Sequence, residues 1–168
     1  MSLALLVIDL QNDYFPGGKF PLANADATLD NVERAIHRAS DRGVPVVVIQ
    51  HVADGGAPFF NAGTPGAEVH PRVLAAAPGA PIVVKAHADS FVATDLEQTL
   101  TRLGATQLLV CGMMTQNCVT HTAISRSAEK YAVTVLPECC TTVTELLHAL
   151  ALHAMSTRVR LAPASEVL

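Results

Sequence analysis

A chain of 168 residues, half of them apolar and only 15% charged, is long enough for one packed core and is expected to fold as a single domain over residues 1–168. Its net charge of −4, with 11 basic residues scattered along the sequence, supplies no basic stripe for nucleic acid. The opening MSLALLVIDL has no basic leader, and its apolar run stops at Asp9, too short for a signal peptide or a membrane span. A small-molecule partner, a cytoplasmic setting and a homo-oligomer, in which a second subunit covers part of a weakly charged surface, are the expectations.

In chain order, the run from Leu3 to Leu10 predicts a first strand, and Leu29, Val32 and Ile36 then recur at helical spacing up to Gly43, a C-cap candidate. Val44 to Gln50 predicts a second strand. The stretch from His51 to Pro81, containing GGAPFFNAGTPGAEVHP, is too long and too rich in Gly and Pro for a turn, and loops of that kind are often functional. Ile82 to Ala86 predicts a third strand, and Thr94 to Glu97 reads as a capping box opening a helix. Gln107 to Cys111 predicts a fourth strand, followed after Met114 by a helix over TQNCVTHTAISRSAEKYA with Cys118 in its first turns. Val133 to Leu136, a second capping box at Thr142 to Glu145, and Arg158 to Leu161 complete the alternation. Most strand candidates are Val, Ile or Leu runs with little polar alternation, the pattern of strands covered on both faces. With right-handed crossovers this predicts a three-layer α/β/α sandwich around a parallel sheet, with the functional site at the carboxyl ends of the strands.

The four cysteines, Cys111, Cys118, Cys139 and Cys140, have neither CxxC pairing nor zinc-site spacing, so no disulfide framework is expected. Cys111 lies inside an apolar run and reads as a small buried hydrophobe, and packing is the simpler reading of Cys139 and Cys140, which follow a strand candidate. Cys118 differs because two other reactive groups, Asp9 and Lys85, also fall at strand ends. An Asp–Lys pair alone could merely cap two strands. A cysteine at a third strand end adds the parts of a nucleophile: an ammonium and a helix N-terminus favour the thiolate, and the aspartate can accept the thiol proton.

The segments LLVIDLQNDYFPGG, TPGAEVHP, VVKAHADSFVATDL and GMMTQNCVTHTA occur in one order across almost the whole chain. Together they resemble the serial signatures of the isochorismatase-like cysteine hydrolase superfamily, which includes nicotinamidase-related amidases. The resemblance implies a Rossmann-like six-stranded parallel sheet of order 3-2-1-4-5-6 and a catalytic triad of Asp9, Lys85 and Cys118. It further implies a cis peptide between Met113 and Met114, and an oxyanion hole formed by the N–H groups of Met114 and Cys118. That strand order leaves Lys85 two strands from Asp9, a lateral gap of roughly 10 Å, so the lysine must lean along the strand ends to reach it. The implied activity is hydrolysis of a C–N bond in a small carboxamide or ureide-like substrate through a Cys118 thioester, with release of ammonia or an amine. Two alternatives stand beside it: an isochorismatase-type vinyl-ether hydrolase using Asp9 without the thiol, and a non-catalytic, redox-responsive oligomer.

Nicotinamidases of the superfamily typically carry an Asp-x-His metal pair after the second strand, where this chain reads VIQHVADGG. No metal and no cofactor are therefore expected, and His51 and His70 read as loop anchors. Phe15, Phe60 and Phe91 lie in loops near the motifs, where they could form an apolar lid or fill a subunit interface. Gln116 could hydrogen-bond an amide substrate or cap the helix with its neighbours, while Asn12 and Asp13 are expected to fix the loop after the first strand.

Overall fold

The structure, a computed structural model, describes residues 2–168. Six strands, β1 (Leu3–Ile8), β2 (Val46–His51), β3 (Ile82–Lys85), β4 (Gln107–Met113), β5 (Ala132–Thr141) and β6 (Arg160–Leu161), form one parallel sheet of order β3-β2-β1-β4-β5-β6. The helices are α1 (Ala25–Asp41), α2 (Pro71–Ala76), α3 (Leu96–Arg102), α4 (Thr120–Ala123), α5 (Glu145–Met155) and α6 (Ala164–Val167). In β1 the residues from Ala4 to Ile8 are all 0% exposed. Since successive side chains point to opposite faces, both faces of this central strand are covered, as its unalternating sequence requires.

Helix α1 buries the stripe Leu29, Val32 and Ile36, widened by Ala25, Ala35 and Ala39. It stops at Gly43, whose φ of +67° suits glycine and whose N–H bonds back to the Ser40 carbonyl at 3.0 Å. No helix among the described residues is long and apolar enough to cross a membrane.

Three local expectations differ from the structure. The helix expected over residues 115–132 is broken into a π-helical turn at Thr115–Val119, the single turn of α4 and a 3-10 turn at Arg126–Ala128. Neither capping box forms: α3 is preceded by Asp95, with Thr94 accepting only from the Leu96 N–H, and Glu97 turns away to pair with Lys130. The cap of α5 is Thr144, which accepts from the Leu147 N–H at 3.2 Å, while Glu145 accepts from Asn24. The fifth strand runs well past Leu136. Its register against β4 shifts between Val110 and Gly112, from Val110 opposite Val135 to Gly112 opposite Cys140. That irregularity is where a strand tolerates Pro137, which has no N–H to give a ladder. Cys139 and Cys140 thus lie inside β5, buried and unpaired, and do not follow it.

Candidate active site

β1 delivers Asp9, which adopts a φ of +53°, tolerated better by aspartate than by most residues, and is 0% exposed. β4 runs beside it and ends in a cis peptide between Met113 and Met114, followed by a single π-helical turn, Thr115–Val119, that carries Cys118. The contact between the two strand ends is close enough that a Cβ on Gly112 would fall 2.0 Å from the Ile8 carbonyl oxygen, so only glycine fits. The turn is buttressed from behind, where Thr115 Oγ1 meets His148 Nδ1 of α5 at 2.8 Å.

Lys85 closes the lateral gap. In β3, Val83 and Lys85 are buried while Ile82 and Val84 are exposed, so the lysine projects on the inner face. Its ammonium lies 3.0 Å from Asp9 Oδ2, 3.2 Å from Cys118 Sγ, 3.0 Å from His51 Nδ1 and 3.0 Å from the His87 carbonyl. Burial works against the lysine's charge, but Asp9 and then Cys118 outweigh it, holding the ammonium above its ordinary value. Apart from the ion pair and the thiol, the Asp9 oxygens meet no hydrogen-bond donor among the described residues, which leaves a lone pair free to take a proton.

The surroundings do not raise the thiolate fraction of Cys118 above that of a free thiol. Burial first and the Asp9 carboxylate second push the Cys118 thiol up, and the Lys85 ammonium only partly offsets them. The sequence shows the cation near the cysteine but not the depth of burial, with Cys118 only 2% exposed. A neutral thiol beside a carboxylate and an ammonium is set up for proton transfer, not for standing ionisation.

Asp9, His51 and Cys118 bring possible metal-ligating atoms within 4.8 Å of one another. The Lys85 ammonium lies within 3.2 Å of all three and already supplies the local positive charge. A metal ion there would have to displace or deprotonate a lysine that its neighbours hold charged, so the donor set does not fit one.

The predicted lining residues separate. Phe60, 1% exposed, packs against Tyr14 and Phe59 with its ring 6.0 Å from that of His51. Phe15, also buried, lies against His70, whose Nδ1 accepts from the Arg72 N–H at the start of α2. Phe91 is elsewhere, stacked on Tyr131. Gln116 is half-buried; its amide nitrogen is 3.7 Å from Met114 Sδ and its Oε1 is buried with no partner among the described residues. Asp13 does fix the loops: its carboxylate accepts from the N–H groups of Lys19 and Phe60, and a Cβ on Gly66 would strike it at 2.1 Å. Asn12 ties the same region together through the Pro65 carbonyl.

Three site residues were not legible as such in the sequence. His51 reads as a loop anchor, and the sequence singles out neither Gln11 nor Tyr14. Gln11 is 0% exposed and its amide holds the His51 N–H, the His51 carbonyl and the Ala67 carbonyl. Tyr14 is kept neutral by burial and by the neighbouring Asp9, Cys118 and Asp13. The only sequence signal was the polar residue Gln11 directly after a buried strand.

The fold is a three-layer α/β/α domain with its reactive groups gathered at the carboxyl ends of a six-stranded parallel sheet. The Isochorismatase domain matches residues 3–165, and the chain belongs to that family. It is 38% identical over 145 residues to the uncharacterized isochorismatase family protein YddQ of Bacillus subtilis, covering 86% of this chain and 80% of that one. It is also 28% identical over 179 residues to the nicotinamidase of Escherichia coli, covering 82% of each. A solved structure from Oleispira antarctica, assigned to the isochorismatase hydrolases, superposes with a TM-score of 0.88 at 33% identity over 99% of this chain and 95% of that chain.

Proposed function

We propose that the protein is an amidohydrolase that cleaves a C–N bond of a small carboxamide or ureide-like substrate through a thioester on Cys118. Membership of a hydrolase family and similarity to a nicotinamidase support the reaction class. The observation that carries the mechanism is the buried ammonium of Lys85, shared between Asp9 Oδ2 at 3.0 Å and Cys118 Sγ at 3.2 Å.

In this mechanism the Asp9 carboxylate takes the thiol proton as sulfur attacks the substrate carbonyl, and Lys85 stabilises the sulfur anion as it forms. The N–H groups of Met114 and Cys118 receive the oxyanion, a contribution of roughly 3 kcal/mol per donor in other hydrolases. As the tetrahedral intermediate collapses, Asp9 returns the proton to the departing nitrogen, and ammonia or an amine leaves. Water then gives a proton to Asp9 and its oxygen to the thioester carbonyl. The carboxylic acid is released and the proton returns to sulfur. Phe60, whose ring lies 6.0 Å from that of His51, supplies an apolar wall, and Gln116 Oε1, without a partner among the described residues, is an acceptor for a substrate N–H.

An ammonia-release screen over primary carboxamides and ureides, run in a chelator, tests this reading. Release by the wild type and none by Cys118→Ala is the expected result. Turnover retained in Cys118→Ala would favour thiol-independent ether or related hydrolysis, and loss in the chelator with recovery on adding zinc would show that the site takes a metal after all.

A further inference from the structure

We infer that His51 is a positioning residue of this site: its neutral imidazole accepts from the Lys85 ammonium and holds it between Asp9 and Cys118, and protonation of the ring releases that hold. The inference rests on the function proposed above for its consequence, but the contact itself stands on geometry.

The sheet register places His51 of β2 directly opposite Lys85 of β3, and partners in adjacent parallel strands project to the same face. The resulting Nδ1–Nζ separation is 3.0 Å. An ammonium has donors only, so Nδ1 must accept and the ring proton must sit on Nε2. The histidine cannot drift from this position easily. Its backbone N–H donates to Gln11 Oε1 at 2.8 Å, and its carbonyl accepts from Gln11 Nε2 at 2.7 Å, with the glutamine fully buried. A loop anchor needs its backbone held; a ring aimed at the ammonium of the reacting cluster is a further arrangement.

The ammonium has three protons for four surrounding acceptors: Asp9 Oδ2, Cys118 Sγ, His51 Nδ1 and the His87 carbonyl. Two of these, Asp9 and Cys118, exchange a proton in the proposed reaction. The other two stay neutral and keep the ammonium in place while the charge beside it moves from carboxylate to sulfur. The groups facing the imidazole are Lys85, Asp9, Cys118, His87 and the Phe60 ring. Burial opposes charging of the ring most, Lys85 adds to this, Asp9 opposes it and His87 reinforces it, so the ring stays neutral to lower pH than an ordinary histidine. Once charged, it would offer no acceptor and would place a second cation against the first.

Two measurements on the full chain decide this. Long-range proton–nitrogen NMR of 15N-histidine protein should show an unprotonated Nδ1 and a protonated Nε2 at pH 7.5, and a His51 pKa that rises in Lys85→Met. Iodoacetamide, a small amide, then serves as the probe of Cys118, with its labelling rate followed by peptide mass spectrometry from pH 5 to 9. His51→Asn keeps an acceptor but does not titrate, so dividing the wild-type rate by the His51→Asn rate cancels the ionisation of the thiol itself. That quotient should fall about tenfold per pH unit below the histidine's pKa. His51→Phe should be slower than His51→Asn at every pH. A protonated Nδ1 in the wild type, or a quotient that stays flat across the pH interval in which NMR shows the His51 ring taking up its proton, would overturn the inference. If Cys118 takes no label in any variant, the thiol mechanism fails, and the tautomer alone decides whether His51 holds Lys85. A Lys85→Met chain that does not fold leaves the wild-type tautomer and the quotient as the deciding results.

Discussion

Lys85 is the residue on which the site's electrostatics turn. Its side chain and that of Asp9 are both 0% exposed, so removing the cation strands a carboxylate in a medium that solvates it poorly. Lys85→Met is expected to lower stability by about 3–5 kcal/mol in denaturant titration at pH 7.5. The double variant Lys85→Met/Asp9→Asn, which removes both charges and keeps a side chain that tolerates the positive φ, should recover most of that loss. A single variant as stable as the wild type would mean that the pair is not buried as described. Asp9, Lys85 and Cys118 were legible in the sequence because a polar residue closing an apolar strand is conspicuous. His51 was not, because its meaning depends on standing opposite Lys85, and the pairing register of two strands about thirty residues apart is not written in either one. The upward push on the Cys118 thiol is hidden for a related reason: the neighbouring charge can be guessed from strand order, the loss of water cannot.

At the scale of elements, strands and α1 follow from apolar runs and their period, and the sequence reading placed all six strands. Boundaries were less visible. The fifth strand continues beyond Pro137 because an irregularity against β4 absorbs the proline, a tertiary accommodation with no local signal. The capping boxes failed because several hydroxyls compete near each helix start, and which one faces the free N–H depends on how the chain enters the helix. Thr142 and Thr144 separate these cases. Thr144→Ala should cost about 1 kcal/mol by loss of its bond to the Leu147 N–H. Thr142→Val should be neutral or stabilising in thermal unfolding, because the Thr142 hydroxyl is buried without a partner among the described residues. The opposite ranking would restore Thr142 as the cap.

For the whole molecule, burial of titratable groups sets the pH range of stability. Cys111, Cys118, Cys139 and Cys140 are all pushed above the ordinary thiol value of 9.0, chiefly by burial. Above pH 9 the unfolded chain therefore loses protons that the folded chain keeps, and stability falls as pH rises, by about 1 kcal/mol per thiol per pH unit. Lys85, whose folded value is also raised, adds a loss at still higher pH. On the acid side His51, His70 and His148 are lowered by burial, so stability declines as pH drops through the ordinary histidine value of 6.5. Denaturant midpoints from pH 5 to 11 should thus trace a plateau between about 6.5 and 9. A midpoint that keeps rising through pH 10 would contradict the burial of the thiols.

Assembly is a second property at this scale. Helix α5 is apolar nearly all round, and Leu146 and Leu150 are 71% and 58% exposed on its outer side. A homo-oligomer that covers this face is expected, with a mass above that of one 17.7 kDa chain in light scattering and dissociation in Leu146→Glu/Leu150→Glu. A monomeric wild type would refute it.

The proposed mechanism requires Cys118 to become covalently bonded to the acyl part of its substrate. Mixing the enzyme with a turned-over carboxamide, quenching in acid within milliseconds to seconds and mapping peptides by mass spectrometry tests it directly. The expected result is an acyl adduct, confined to the peptide containing Cys118, that appears before product and vanishes as substrate is exhausted. Steady turnover by a Cys118→Ala chain, with no adduct on any cysteine of the wild type, would contradict it.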